Sequence, residues 1–517
     1  MIASERKETI LNEANKMQCF DQLPERIVEF LERNCDEVQE IYLSTNSMSL
    51  DACRKLSDLL RKCHKLKIIH LDSIFQKRKV EDAKAAMSLI TTAIQDSGCH
   101  LQELNYRCNA FGSQAAPSCA QLFEDPNLLM SLQKIDMGDL GLSEMSSKVF
   151  ANSFSHGFGK LKEMNQIEKC SIKIIELTVN KIRDDGAVDF CDAFSNNLPQ
   201  LESFSIGANN IRNKGLAAVA RFAATCSSLK VLVIEDNILG LESSKEFEKA
   251  LIALKNLEKL DFADCAGSSE CMEAILSGIY KSDSKFSIIN ISGNDINSSH
   301  LNLVKSIILT NSATLSTLDL RDTELSKKDI ENLLGMLTEF PDSLKLTTDY
   351  EDIVLPSNDL IQKILNISSL SDIANLSQDS NQYFSTQARY AMNQLSDEEF
   401  VKYMINLIDC QKTASKILTN TRILFITILE KADVSLPHND AIYQFCGLLK
   451  SEFDTYDEKF KESALELTLE SILSKNNLVK TRFCSILKDL LLVRNVDNTS
   501  NTNILNLTNK LLGLNIL

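Results

Sequence analysis

No apolar run in the 517-residue chain approaches the roughly 20 residues a helix needs to cross a bilayer, so membrane insertion is not expected. Basic charge is scarce: 55 Lys and Arg stand against 71 Asp and Glu, a formal charge of −16. No Lys/Arg stripe interleaved with aromatics offsets that field, which argues against nucleic acid and for encounter with a basic protein surface. The phosphate-cradling GxxxxGK[ST] loop, the zinc-binding HExxH helix and the GxSxG nucleophile elbow are all missing. The 15 cysteines form no CxxC pair. Glu5, Arg6, Lys7 and Glu8 stand where a secretory segment would be apolar, so reduced thiols in the cytosol or nucleus are expected. Cys63-His64 and Cys99-His100 fall at the ends of repeats and read as packing rather than metal ligands. No metal and no cofactor are expected. With 44% hydrophobic and 24% charged residues, the chain has the composition of a folded protein.

What the sequence does contain is a repeat. An apolar residue, two variable ones, an apolar, one variable, an apolar, two variable and then Asn recur along the chain. The clearest copies are Leu101-Leu104-Tyr106-Asn109, Ile172-Ile175-Leu177-Asn180, Leu201-Phe204-Ile206-Asn209, Leu229-Leu232-Ile234-Asn237 and Phe286-Ile289-Ile291-Asn294. Copies without the Asn run from Leu66 to Ile74, Leu132 to Leu140, Leu257 to Cys265 and Leu315 to Thr323, and Val38-Ile41-Leu43-Asn46 opens the array. From Ile172 onward the starts fall at 172, 201, 229, 257, 286 and 315, steps of 28 or 29 residues. Alternating apolar residues place a short strand on a core, and the Asn suits bonding to the neighbouring turn. The second half of each unit has helical periodicity, as in Gly215 to Ala223. The expected fold is α/β: a leucine-rich-repeat solenoid of about ten repeats, of the long ribonuclease-inhibitor type, with strands concave and helices convex. Two spacings are longer, 35 residues from Leu66 to Leu101 and 40 from Leu132 to Ile172. The extra residues, Phe75 to Lys79 in the first and Phe154 to Asn165 in the second, are expected in loops.

The repeats stop near Phe340. Residues 1–345 form the expected repeat domain, 346–357 a linker, 358–494 an all-helical domain and 495–517 a loose tail. Phe400, Tyr403, Met404, Leu407 and Ile408 follow a capping box of Ser396 and Glu399 in that second domain. On the solenoid, the residue before the Asn position is Asp139, Asp236, Asp264 and Asp322 in four repeats. This column is either solvated decoration or an acidic patch for a basic partner.

These segments resemble the GTPase-activating proteins of the small GTPase Ran. Leu101-Gln102-Glu103-Leu104 with Asn109-Ala110-Phe111-Gly112 is similar to that family's "DNAFG" repeat, Glu235-Asp236-Asn237 to its "DN" repeat, and Phe262 to Cys265 to the "GDC" repeat that follows. The gap carrying Phe75 and Arg78 corresponds to the family's "FTGR" loop. Gly447 to Glu452 is similar to the "GLLKSE" of animal members, in which the lysine is joined to SUMO. The resemblance implies a GTPase activator rather than a self-contained enzyme. An asparagine on a repeat loop would hold Ran's own glutamine, which orients the attacking water, so that catalysis is positioning and electrostatic stabilisation. The family's asparagine falls in an "NN" pair, and Gly138 and Asp139 stand there. The "GRNRLEN" repeat is altered to Thr178 through Asp184, and the acidic run after the last repeat shrinks to Asp349, Glu351 and Asp352.

The resemblance thus places Asp139 and Arg78 at the catalytic contact, and Asn209, Asp236, Asp264 and Asp322 at the partner surface. Lys450, with Leu449 and Glu452, becomes the modification site. The implied partners are Ran in its GTP form, SUMO with its conjugating enzyme, and a Ran-binding nucleoporin. The implied setting is nucleocytoplasmic transport, in the cytoplasm and at the cytoplasmic face of the nuclear pore. The alternative is a leucine-rich-repeat adaptor or inhibitor that binds without stimulating hydrolysis.

Overall fold

A computed structural model describes residues 8–109, 117–336, 344–350 and 353–354. The chain divides into two units, residues 1–339 with 347–351, and 340–346 with 352–517. In the first, short parallel strands follow one another in chain order, from Ile10–Asn12 to Thr317–Asp319. Every expected repeat supplies one of them, and the register is unbroken: Tyr42 pairs with His70, His70 with Asn105, Asn105 with Asp136, Asp136 with Glu176 and Glu176 with Ser205. Side chains at one repeat position therefore form a column across neighbouring strands about 4.8 Å apart.

The central residue of each strand, among them Ile41, Leu104, Ile175 and Leu260, is fully buried. From Leu43 onward, so is the apolar residue two positions on. Behind the strands lie helices such as Leu50–Leu60, Arg183–Phe194, Asn213–Ala223, Leu241–Ala253 and Ser269–Lys281.

The solenoid begins one repeat earlier than expected. Strand Ile10–Asn12 pairs with Glu40–Tyr42, and that register sets Glu13 where Leu43 would lead the pattern to demand an apolar residue. Glu13 hides the repeat from a search for apolar periodicity, and it is tolerated because Arg26 and Lys16 both reach its carboxylate. Burial raises the pKa of Glu13, but the two cations outweigh burial and hold it below the ordinary value.

The long spacings are also built differently from the loops expected. Phe154 to Glu163 lies inside a 20-residue helix, Glu144–Glu163, started by a capping box of Ser143 and Ser146. Phe150, Phe154, Phe158 and Leu161 recur at helical spacing and are buried, so the apolar stripe overrides the turn character of Gly157 and Gly159. Gly157 is a packing position: a Cβ there would lie 2.2 Å from the Phe123 carbonyl oxygen. Phe154 stacks on Phe123 at 4.3 Å and meets Phe194 edge-on at 5.1 Å, and the chain of rings continues through Phe222 to Phe204. Such pairs add about 0.5–1.5 kcal/mol each beyond burial. The other long spacing holds an 18-residue helix, Val80–Ser97, ended by Gly98 in the left-handed conformation at φ +60°. Phe75 to Lys79 do precede that helix as turn and extended residues.

Across the expected boundary between repeat domain and linker, Lys345–Thr347 pairs antiparallel with Ile353–Val354. The helical domain expected over 358–494, the tail and the Lys450 site lie outside the described residues.

Candidate functional site

The asparagine column is the internal frame of the solenoid. Asn237 donates from Nδ2 to the carbonyl oxygens of Ile234 at 2.9 Å and Ile206 at 3.1 Å, and its Oδ1 accepts from the amides of Ile211 at 2.9 Å and Asn209 at 3.3 Å. Asn46, Asn109, Asn180, Asn209 and Asn294 bridge adjacent repeats in the same way. This corrects the placement of Asn209 at a partner surface. The residue is fully buried, with its amide spent on the carbonyl oxygens of Leu177, Ile206 and Gly207.

The aspartate column has a backbone cause that spacing did not reveal. Asp139, Asp236, Asp264 and Asp322 all have φ between 49 and 52°, and so do their counterparts in other repeats: Thr45 (66°), Ser73 (58°), Cys108 (58°), Val179 (59°), Ala208 (52°) and Gly293 (68°). Each strand ends in one left-handed residue whose amide donates to the next repeat, as from Asp139 to Thr178 O and from Asp236 to Ala263 O, both close to 2.9 Å. Aspartate tolerates this conformation better than most residues, which accounts for part of the column. Asp236, Asp264 and Asp322 are exposed and Asp139 is half-buried, so all four still present carboxylates along one edge of the strands.

Arg78 does not project freely. Its Nε and Nη2 donate to Ser47 Oγ and O at 2.9 and 3.0 Å, and its Nη1 to Asp21 at 2.8 Å. It ties the first repeats together.

On the concave strands lies a network that sequence reasoning missed. Tyr42 meets His70 edge-on at 4.8 Å and donates its hydroxyl to Glu40. Burial and that carboxylate push the Tyr42 phenol up to about 12. His70 Nε2 lies 2.9 Å from Glu103 Oε1, which also accepts from Lys134 Nζ at 2.8 Å. Burial of Glu103 raises its pKa, but Lys134 and His70 together hold it below the ordinary value. Arg107 Nη1 lies 3.5 Å from Asp136 Oδ1 and donates to Thr178 Oγ1 at 3.2 Å.

Further along, compensation fails. Burial first, and then Asp136, raise the pKa of Glu176 against the hydrogen bond from Ser205. Burial and then Asp261 raise that of Glu235, with Lys259 opposing and Asp236 and Asp264 adding. The concave face thus runs from internally paired charge at Tyr42–Lys134 to unneutralised carboxylates at Glu176–Asp264. The clue was the column register, which strand pairing alone supplies.

Among the described residues no three His, Cys, Asp or Glu side chains gather in a way that would hold a metal, and no helix is long and apolar enough to cross a membrane. Burial pushes the thiols of Cys53, Cys63, Cys119, Cys226 and Cys265 up to about 12, so these are packing residues and poor nucleophiles.

No family model matches the chain. Ran GTPase-activating protein 1 of Xenopus laevis is 24% identical over 157 residues, 30% of this chain and 27% of that protein's length. The ribonuclease inhibitor of Sus scrofa is 20% identical over 320 residues, 58% of this chain and 68% of that protein. A human NACHT, LRR and PYD domains-containing protein is 21% identical over 225 residues, 40% of this chain and 21% of that protein. Strands in unbroken register, helices behind them and asparagines bridging one repeat to the next give this chain a leucine-rich-repeat architecture, which these likenesses support.

Proposed function

We propose that this chain binds Ran in its GTP form through the concave strands and their left-handed edge, and stimulates Ran's own GTP hydrolysis. The observation that carries the reading is the order of family-like segments along the repeats: Asn109, then Glu235-Asp236-Asn237, then Phe262 to Cys265. Similarity to Ran GTPase-activating protein 1 supports it. In this reading the chain supplies no nucleophile. Its contribution is to hold Ran's glutamine, which orients the attacking water, in a productive geometry. The carboxylates of Asp236, Asp264 and Asp322 on the edge, with Glu176 and Glu235 on the concave face, complement a basic surface of the partner. The reading also assigns SUMO conjugation to Lys450 and a place in nucleocytoplasmic transport in the cytoplasm and at the nuclear pore. GTP hydrolysis by purified Ran is the test: acceleration by catalytic amounts of the full chain is expected, and none at saturating concentration sinks the activator. Loss of the conjugate in Lys450→Arg is expected, and its persistence rejects that assignment.

A second reading has its own supporting observation. Gly138 and Asp139 stand where the family's asparagine pair belongs, and an ionised Asp139 accepts but cannot donate a hydrogen bond. A leucine-rich-repeat adaptor or inhibitor would bind its partner with no change in hydrolysis rate, which the same assay separates.

A further inference from the structure

Arg107 occupies an unusual position on the concave edge. Its side chain crosses an entire neighbouring repeat to donate from Nη1 to Thr178 Oγ1, 71 residues on and two repeats away. It passes directly over Gly138: a Cβ there would lie 2.3 Å from Arg107 Nη1 and 2.9 Å from its Cζ. Gly138 is not in the left-handed region, so the backbone does not demand glycine. The passage of the guanidinium does.

The pinned end leaves the other edge of the guanidinium open. Nε and Nη2 have no hydrogen-bond partner among the described residues, and the side chain is 36% exposed. Their N–H groups lie in the guanidinium plane along one edge, the arrangement in which it grips two oxygens of a carboxylate or phosphate. Held by Thr178 at 3.2 Å and by Asp136 at 3.5 Å, the fork has already lost much of its rotamer freedom. It therefore loses less on binding than a free arginine would. Its chain neighbour Cys108 and the facing Asp139 belong to the left-handed edge, which places the fork beside the residue expected at the catalytic contact.

We infer that Arg107, held across Gly138 by Thr178, is a positioning residue that grips an oxyanion of the bound partner through Nε and Nη2. The inference rests on the proposed Ran binding for the identity of that partner, and the oxyanion is either a carboxylate of the partner or a phosphate of its nucleotide.

The test uses the full chain with Arg107→Gln, with Gly138→Ala, whose added methyl displaces the fork while keeping Arg107, and with Arg221→Gln on an exposed helix position as control. Affinity and stimulated hydrolysis are measured with Ran·GTP, and affinity with Ran·GDP. Both edge variants are expected to lose ~10-fold or more, and the control nothing. Equal weakening toward the GTP and GDP forms assigns the oxyanion to a group both share, a carboxylate or an α- or β-phosphate, whereas a fall in kcat at unchanged KM, confined to the GTP form, assigns it to the γ-phosphate. If the wild-type chain engages Ran and both edge variants match it, the inference is overturned and the Ran reading survives. If the wild-type chain engages Ran in neither form, that reading fails. Inorganic phosphate then decides the inference, followed through the Arg107 Nε–H resonance identified by its loss in Arg107→Gln. Saturation at ~10-fold lower phosphate than Arg221 upholds the preorganised fork, and identical titration of the two overturns it.

Discussion

Replacing Asn237 with alanine removes one side chain and leaves a countable debt. Its Oδ1 is the acceptor for two buried amides of the preceding repeat, Ile211 N at 2.9 Å and Asn209 N at 3.3 Å. The carbonyl oxygens it serves are better placed: Ile206 O also receives Asn209 Nδ2, and Ile234 O is approached by Cys265 Sγ. The cost therefore sits with the two amides, at about 1–3 kcal/mol per orphaned buried group, or roughly 2–6 kcal/mol in all. Asn294 is the internal comparison, because its Oδ1 accepts from one amide, Gly267 N at 3.0 Å. Asn294→Ala should thus cost about half as much. Urea unfolding of both variants measures the ratio, and native-state hydrogen exchange should show Ile211 and Asn209 losing protection in Asn237→Ala alone. Equal losses from the two substitutions, or unchanged exchange at Ile211, would refute the assignment of the energy to the amides.

Three further outcomes follow from the same geometry. Val179 holds a β-branched side chain in the left-handed conformation at φ 59° while 48% exposed. Val179→Asn should therefore stabilise the chain by about 1 kcal/mol, and a lower melting temperature would contradict this. Glu176 has a pKa raised above its ordinary 4.5, with burial the largest cause, so the folded state binds its proton more tightly than the unfolded state. Its contribution to stability is fully present below 4.5 and is lost as pH climbs through the raised value. Glu176→Gln should accordingly be more stable than wild type at neutral pH, with the gap closing on acidification, and a gap that widens toward low pH would reverse the sign. Asp139→Asn restores an amide donor at the place of the family's asparagine, and the stimulated rate should rise. A lower rate would move that role to another residue.

How much was legible in advance depends on how local each determinant is. Strand positions from Glu40 to Asp319 could be read off because a buried central residue and an Asn five residues later are one-dimensional facts. The repeat at Ile10–Asn12 was hidden because its apolar position is filled by Glu13, paired to Arg26 and Lys16. The helix Glu144–Glu163 was obscured by His156, Gly157 and Gly159, whose turn character yields to the four buried side chains on its inner face. Asn209 was misplaced for a different reason: the same Asn that marks a repeat is consumed by the repeat, so it has nothing left to offer a partner.

By itself the sequence determined a stack of strand-and-helix units, their period, their acidic balance and the asparagines that bind them, because each depends on spacing within about 30 residues. Only the tertiary structure decided which side chains meet across repeats. The Tyr42–His70–Glu103–Lys134 chain, the crowding of Glu176 by Asp136 and of Glu235 by Asp261, and the reach of Arg107 over Gly138 to Thr178 join residues 26 to 71 positions apart. Such meetings are set by strand register, and register exists only once the solenoid has closed on its core.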